Sequence, residues 1–278
     1  MTVSNELIEA ACDALGVEQV RDLRDGGQKV VKVVQRDGEE LVIKIVSVAS
    51  SSPGALARAH REVELLQTID DPHVVRAASD LVELGDPVDG AAWLEELLDG
   101  EDLRDLLTSP WGWEPTAEMA RDVGLGLSRM HAVGVVHRDL SASNVRRRAD
   151  GSYVVMDPGF ARHTLRTGLT IGGQPGTLGF FTPEHLQAYS GSPTAASDVF
   201  GVGILMFLAL TTQFPIPHLG DDADYFRRVG EGSTLDLATV RPDLSESQVA
   251  VVKRALHPQS ARRYRNAAKL VSALEALA

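Results

Sequence analysis

The stretch HRDLSASNVRRRADGSYVVMDPGFAR, residues 137–162, reads as two short strands about an Asp150-Gly151 turn, and the second, an apolar run, stops at Asp157. Asp-Pro-Gly at 157–159 is by itself ordinary turn chemistry, because Pro presets one backbone torsion and Gly accepts conformations that other residues refuse. The neighbouring residues raise the question of a function. Asn144 stands five positions after Asp139, and Asp157 stands eighteen positions after it.

The chain has 278 residues, 44% hydrophobic and 24% charged, enough for one large domain or two lobes with packed cores. Its longest apolar stretch, VFGVGILMFLALTT from Val199, is shorter than a bilayer-spanning helix requires, and the N-terminus MTVSNELIEA lacks the pattern of a signal peptide. A cytoplasmic protein with no membrane partner is the expectation. Cys12 is the single cysteine, so no intrachain disulfide forms, and any metal must be held by oxygen ligands. A net charge of −12 disfavours nucleic acid as a partner. Lysine occurs only at 29, 32, 44, 253 and 269, so Lys44 inside an apolar strand pattern calls for an explanation.

Working outward, residues 4–15 read as an amphipathic helix. QKVVKVVQR and EELVIKIV read as strands joined by the hairpin signal Asp37-Gly38. Ser52-Pro53 reads as N-cap and first residue of a helix running to about Ile69, with Leu56, Ala59, Val63 and Leu66 along one face. Strand candidates follow near 74–84 and 91–97. Helices are expected at 101–108, 115–133, 198–212, 222–230, 245–256 and 264–277. Strands followed mainly by helices predict an α+β chain in two lobes, a small β-rich lobe over 1–97 and a larger helical lobe over 98–278. The segment 163–182, rich in Gly and Thr, is too long for an ordinary connection.

Lys44 in a strand, Glu62 in the next helix, HRDLSASN at 137–144 and DPG at 157–159, in that order, resemble the protein kinase catalytic domain. TPE at 182–184 stands where that family has Ala-Pro-Glu, and SDVFGVGILMFLALTTQFP resembles its buried helix opening with an Asp. The resemblance covers roughly residues 20–278 and implies the two-lobed kinase fold, with one helix in the small lobe besides the N-terminal one.

It also implies chemistry. Phosphoryl transfer asks a protein to position phosphates, neutralise their charge and orient the attacking hydroxyl. By resemblance, Lys44 contacts the ATP phosphates and pairs with Glu62, Asp139 takes or orients the hydroxyl proton, and Asn144 and Asp157 hold Mg2+. Gly26, Gly27 and Lys29 approach the phosphates from the glycine loop, and Glu96 and Leu98 contact the nucleotide at the hinge. His137 supports its loop and is no base. Thr164, Thr167 and Thr170 are candidate phosphorylation sites, and Thr177 is a candidate contact of the catalytic loop.

The chain departs from the family at four places. Pro158 replaces the usual Phe. Lys29 stands at the last glycine of the loop and Arg24 at the first. Ser141 occupies the place of a lysine that steadies the γ-phosphate. Glu95 falls at the back of the adenine pocket, where a buried carboxylate needs a partner that the sequence does not name.

The leading expectation is an ATP-dependent kinase of protein Ser/Thr hydroxyls that phosphorylates itself, with self-association allowing transfer between copies. Arginine in place of lysine, with much Ala, Val and Gly, hints at a GC-rich bacterium or its phage. The alternatives are a pseudokinase acting as a nucleotide-binding regulatory module and, third, a small-molecule phosphotransferase.

Overall fold

The structure is a computed structural model and describes residues 3–23, 29–48, 54–158, 179–186 and 194–277. The chain divides into two compact units, Met1–Asp70 with Val74–Leu98, and Asp71–His73 with Asp99–Ala278.

The first unit is a five-stranded sheet with a helix on each face. Helix α1 (Asn5–Leu15) starts where the Ser4 hydroxyl accepts the Leu7 N–H and ends at Gly16, whose φ of 64° needs no Cβ to avoid. Strands β1 (Glu18–Asp22), β2 (Val30–Arg36) and β3 (Glu39–Ser47) are followed by α2 (Ala55–Thr68), β4 (Val82–Leu84) and β5 (Gly90–Glu96). The sheet order is β1-β2-β3-β5-β4, antiparallel throughout. Asp37 and Gly38, at φ of 54° and 86°, make the tight β2–β3 turn as expected.

Period-2 alternation sorts β3 onto two cores. Leu41, Ile43 and Ile45 pack with Leu7 and Ala11 of α1, whereas Val46 packs with Ala59 and Val63 of α2 and with Trp93. Both faces being covered explains why EELVIKIV reads as a nearly unbroken apolar run.

Three expectations change here. The small unit gains β1, whose five residues are all exposed and so carry no apolar alternation. The 74–84 candidate shortens to Val82–Leu84, with an isolated bridge from Ala77 to Glu95. Helix α2 starts at Ala55 behind Gly54, and the Ser52-Pro53 cap lies outside the described residues.

The second unit contains β6 (Glu101–Asp102), α3 (Leu103–Leu106), α4 (Trp113–Ala132), β7 (Val145–Arg147) and β8 (Tyr153–Val155). They are followed by α5 (Pro183–Leu186), α6 (Ala195–Thr211), α7 (Asp222–Glu231), α8 (Leu237–Val240), α9 (Glu246–Ala255) and α10 (Ala267–Glu275). The helix expected at 101–108 is thus part strand, because Glu101 and Asp102 pair with Arg147 and Arg146. Pro115 sits in the first turn of α4, where an absent N–H costs nothing.

Helix α6 is buried nearly all round, against α4, α9 and α10. Among the described residues no helix is long and apolar enough to cross a membrane.

Asp71–His73 belong to this helical unit for a local reason. Asp71 pairs with Arg129 at 3.1 Å, the His73 carbonyl accepts the Val155 N–H at 2.9 Å, and His73 Nδ1 lies 2.9 Å from the Tyr153 carbonyl. Gly126 allows the approach, since a Cβ there would stand 2.4 Å from the His73 oxygen.

Candidate active site

In the helical unit the loop from His137 to Asn144 is held from the first turn of α6. Buried Asp198 accepts the N–H of His137 at 2.8 Å and that of Arg138 at 3.0 Å, while its Oδ2 also lies 2.8 Å from His131 Nε2 at the end of α4. Three donors on one buried carboxylate make a charge-assisted anchor. The Ala267 N–H donates to His131 Nδ1 at 3.3 Å, so His131 presents Nε2–H to Asp198. Sequence reasoning named Asp198 but not His131. The signal was present, a histidine six positions before His137.

His137 is fully buried, accepting the Asp139 N–H at Nδ1 (3.3 Å) and donating from Nε2 to the Met156 carbonyl (2.9 Å). Both ring nitrogens are thereby committed to backbone, which suits a support for the loop. Asp139 is half-buried. The Asn144 side-chain N–H2 donates to the Asp139 carbonyl at 2.8 Å, leaving its Oδ1 as an oxygen donor.

The β7–β8 hairpin then sets the third residue. Val145 pairs with Val155, and the Met156 N–H donates to the Asn144 carbonyl at 2.9 Å, so Asp157 follows the residue opposite Asn144. Asp157 has φ 51° and Arg138 φ 68°, left-handed conformations that are uncommon outside glycine and that persist only where the surroundings impose them. Pro158 is buried behind Asp157, and Ser141 is buried at the start of the 3-10 turn Ala142–Asn144.

Among the described residues no group of three or more His, Cys, Asp and Glu is arranged to hold a metal by itself. Asn144 and Asp157 nevertheless fit a hard cation that brings further oxygen ligands with a phosphate.

Glu184 of the Thr-Pro-Glu segment pairs with Arg263 at 2.8 Å. Arg263 also donates to the carbonyls of His257, Pro258 and Ala196 and stacks on Phe200 at 4.6 Å. Burial pulls its guanidinium below the ordinary value, opposed by Glu184. Just before this segment, the Gly179 N–H donates to the hydroxyl of fully buried Tyr225 at 2.8 Å. Gly26 and Gly27, with Thr164, Thr167, Thr170 and Thr177, lie outside the described residues.

The sheet unit presents its ionic residues on the face that carries Trp93. Val31 pairs across the sheet with Lys44 and Lys44 with Trp93, so Lys44 shares that face with Glu95, two residues along β5. Lys44 Nζ lies 2.7 Å from Glu95 Oε2 and 3.7 Å from Glu62 Oε1. Lys29 holds Glu62 more closely, with Nζ at 2.6 and 2.8 Å from the two carboxylate oxygens and 5.2 Å from the Trp93 ring. Glu95 also accepts the Trp93 indole N–H at 2.9 Å. The partners that the sequence left unnamed for Glu95 therefore include Lys44 and Trp93.

At the end of β5, the Glu96 carboxylate accepts the Arg76 N–H at 3.0 Å, and Leu98 is buried.

Comparison with known proteins agrees with this layout. The family model described as protein kinase domain matches residues 22–273. The chain is 27% identical over 265 residues to a probable serine/threonine-protein kinase of Streptomyces coelicolor, covering 94% of this chain and 37% of that protein. It is 28% identical over 273 residues to the serine/threonine-protein kinase pkn2 of Myxococcus xanthus (92% and 32%). It is 27% identical over 260 residues to PknB of Mycobacterium tuberculosis (91% and 39%). The chain spans only about a third of the length of these bacterial relatives. A match over residues 22–273, together with a β-sheet unit bearing the lysine–glutamate pairs and a helical unit bearing the Asp198-anchored loop, makes this chain a member of the protein kinase domain family.

Proposed function

We propose that the chain is an ATP-dependent protein kinase that transfers the γ-phosphoryl group to a serine or threonine hydroxyl. The observation that carries this reading is the loop in which Asn144 binds the Asp139 carbonyl while the β7–β8 register brings Asp157 beside Asn144. The backbone that carries Asp139, Asn144 and Asp157 is thereby held in place, which leaves less freedom to lose on reaction.

In this reading the Asp139 carboxylate accepts the proton of the acceptor hydroxyl. That oxygen forms a bond to the γ-phosphorus as the bond to the bridging oxygen breaks, and ADP departs. Magnesium, held by Asn144 Oδ1 and the Asp157 carboxylate, would neutralise phosphate charge. A lysine held by Glu62 supplies fixed positive charge, and the backbone from Glu96 to Leu98 serves the base. Gly26 and Gly27 complete the phosphate loop. A second copy of the chain is the first acceptor to test, because self-phosphorylation needs no further partner.

The test is incorporation of labelled phosphate from Mg–ATP into the chain or a generic acceptor. Asp139→Asn should abolish it while leaving Mg–ATP binding in place; undiminished incorporation by this variant would sink the assignment. The close Lys44–Glu95 pair favours a second reading, a regulatory module that binds nucleotide without transfer. Binding without incorporation in the unaltered protein, across a broad set of acceptors, would select it.

A further inference from the structure

We infer that Lys29, rather than Lys44, is the lysine that Glu62 holds for the nucleotide phosphates, and that Glu95 is the residue that makes the difference. The inference rests on the kinase reading above and assigns within it a role for which the sequence pattern had marked Lys44.

Phosphoryl transfer in this fold requires a lysine fixed by the glutamate of the neighbouring helix. Two lysines compete for Glu62, and their geometry is unequal. Lys29 engages both carboxylate oxygens at 2.6 and 2.8 Å, whereas Lys44 approaches only one, at 3.7 Å. A 2.7 Å contact to Glu95 draws Lys44 the other way, and the Trp93 indole N–H fixes Glu95 in turn.

Accessibility follows the same division. The Lys44 and Glu95 side chains are 5% and 3% exposed, a pair already desolvated, while the Lys29 side chain is 20% exposed. An incoming phosphate would have to draw Lys44 out of this buried pair, at the cost of separating two desolvated charges. Lys29 can meet a phosphate without that cost. The tertiary arrangement thus gives a purpose to a lysine standing where the family has a glycine. Between the two close Lys–Glu pairs the balance of exposure favours Lys29–Glu62 over Lys44–Glu95.

The balance also supplies the test. Mg–ATP and adenosine are titrated separately into the unaltered chain, Lys29→Met, Lys29→Arg and the double variant Lys29→Met/Glu95→Leu, with thermal melting as a check on folding and phosphate incorporation followed in parallel. Losing a charge-assisted phosphate contact should weaken Mg–ATP binding by about tenfold or more in Lys29→Met. Adenosine, which has no phosphate, should bind as before, and Lys29→Arg should retain Mg–ATP affinity. In the double variant one lysine and one glutamate remain, and Lys44, released from Glu95, should turn to Glu62 and recover most of the lost affinity and incorporation.

Equal Mg–ATP affinity in Lys29→Met and the unaltered chain, equal loss of adenosine and Mg–ATP binding in a folded Lys29→Met, or no recovery in the double variant would each overturn the inference. If the unaltered chain binds Mg–ATP in this Lys29-dependent way but transfers no phosphate to any acceptor, the kinase reading fails and the lysine assignment stands. Lys32→Ala, whose side chain pairs with Asp22 instead, serves as the control expected to bind normally.

Discussion

Asp198 accepts the backbone N–H of His137 at 2.8 Å across 61 positions of sequence, so the first turn of one buried helix sets the backbone of the loop that carries Asp139. Replacing Asp198 with Ala leaves the His137 and Arg138 amides and the His131 ring without that acceptor in a buried site. The expected cost is about 3 kcal/mol of stability, judged from buried charged partners of this kind. Chemical denaturation gives the stability, and steady-state kinetics should show kcat falling further than Mg–ATP affinity. Unchanged stability and kcat would show that the loop holds its own shape.

Arg263 joins Glu184 to three backbone carbonyls inside the helical unit. Arg263→Met should destabilise by about 3–5 kcal/mol, because it strands a partly buried carboxylate whose counter-charge is gone. Arg263→Lys should rescue little, since a point charge cannot reproduce the planar fork of donors. Guanidinium chloride midpoints of the two variants decide this, and a lysine variant as stable as the unaltered chain would refute it.

Gly126 abuts the His73 carbonyl, where a Cβ would sit at 2.4 Å from the oxygen. Gly126→Ala must push that backbone away and disturb the hydrogen bond from the Val155 N–H to the same oxygen. A loss of about 1–3 kcal/mol is expected, as for other overpacked positions, with faster amide exchange at Val155. Slow exchange at Val155 in the variant would contradict the proposed clamp.

Asp224 in the first turn of α7 accepts from Arg227 at 2.6 Å and Arg228 at 2.7 Å, and these bonds hold its carboxyl below the usual carboxylate range. A lowered folded-state value means that its contribution is complete above the unfolded value, about pH 4, and is lost as pH falls through the lower folded value. The melting temperature of Asp224→Asn should therefore lie below that of the unaltered chain at pH 6 and converge with it on acidification. Added salt should narrow the gap at pH 6, because the pair faces solvent. A gap independent of pH would show that the charge of Asp224 is not what stabilises this helix.

Much of the architecture was legible before any coordinates. Asp37-Gly38 between two apolar runs forces a tight hairpin, and the fixed spacing of Asp139, Asn144 and Asp157 marks the loop and hairpin on which the proposed chemistry rests. Alternation failed at β1, where Glu18–Asp22 is exposed along its whole length and pairs through backbone alone. It failed again at Asp71–His73, which joins the helical unit through hydrogen bonds to Tyr153 and Val155 some eighty positions away.

The sequence by itself determined which residues are candidates for the proposed chemistry, because spacing within a single loop and hairpin is a local property of the chain. Tertiary structure alone decided how the ionic groups pair. Lys29, Lys44, Glu62 and Glu95 come from four separate segments, and it takes the register of β2, β3 and β5 together with the packing of α2 to bring them within reach of one another. Partner choice among opposite charges depends on distances of one or two ångströms and on which side chains are buried, quantities that arise only once strands are in register and a helix is packed against them.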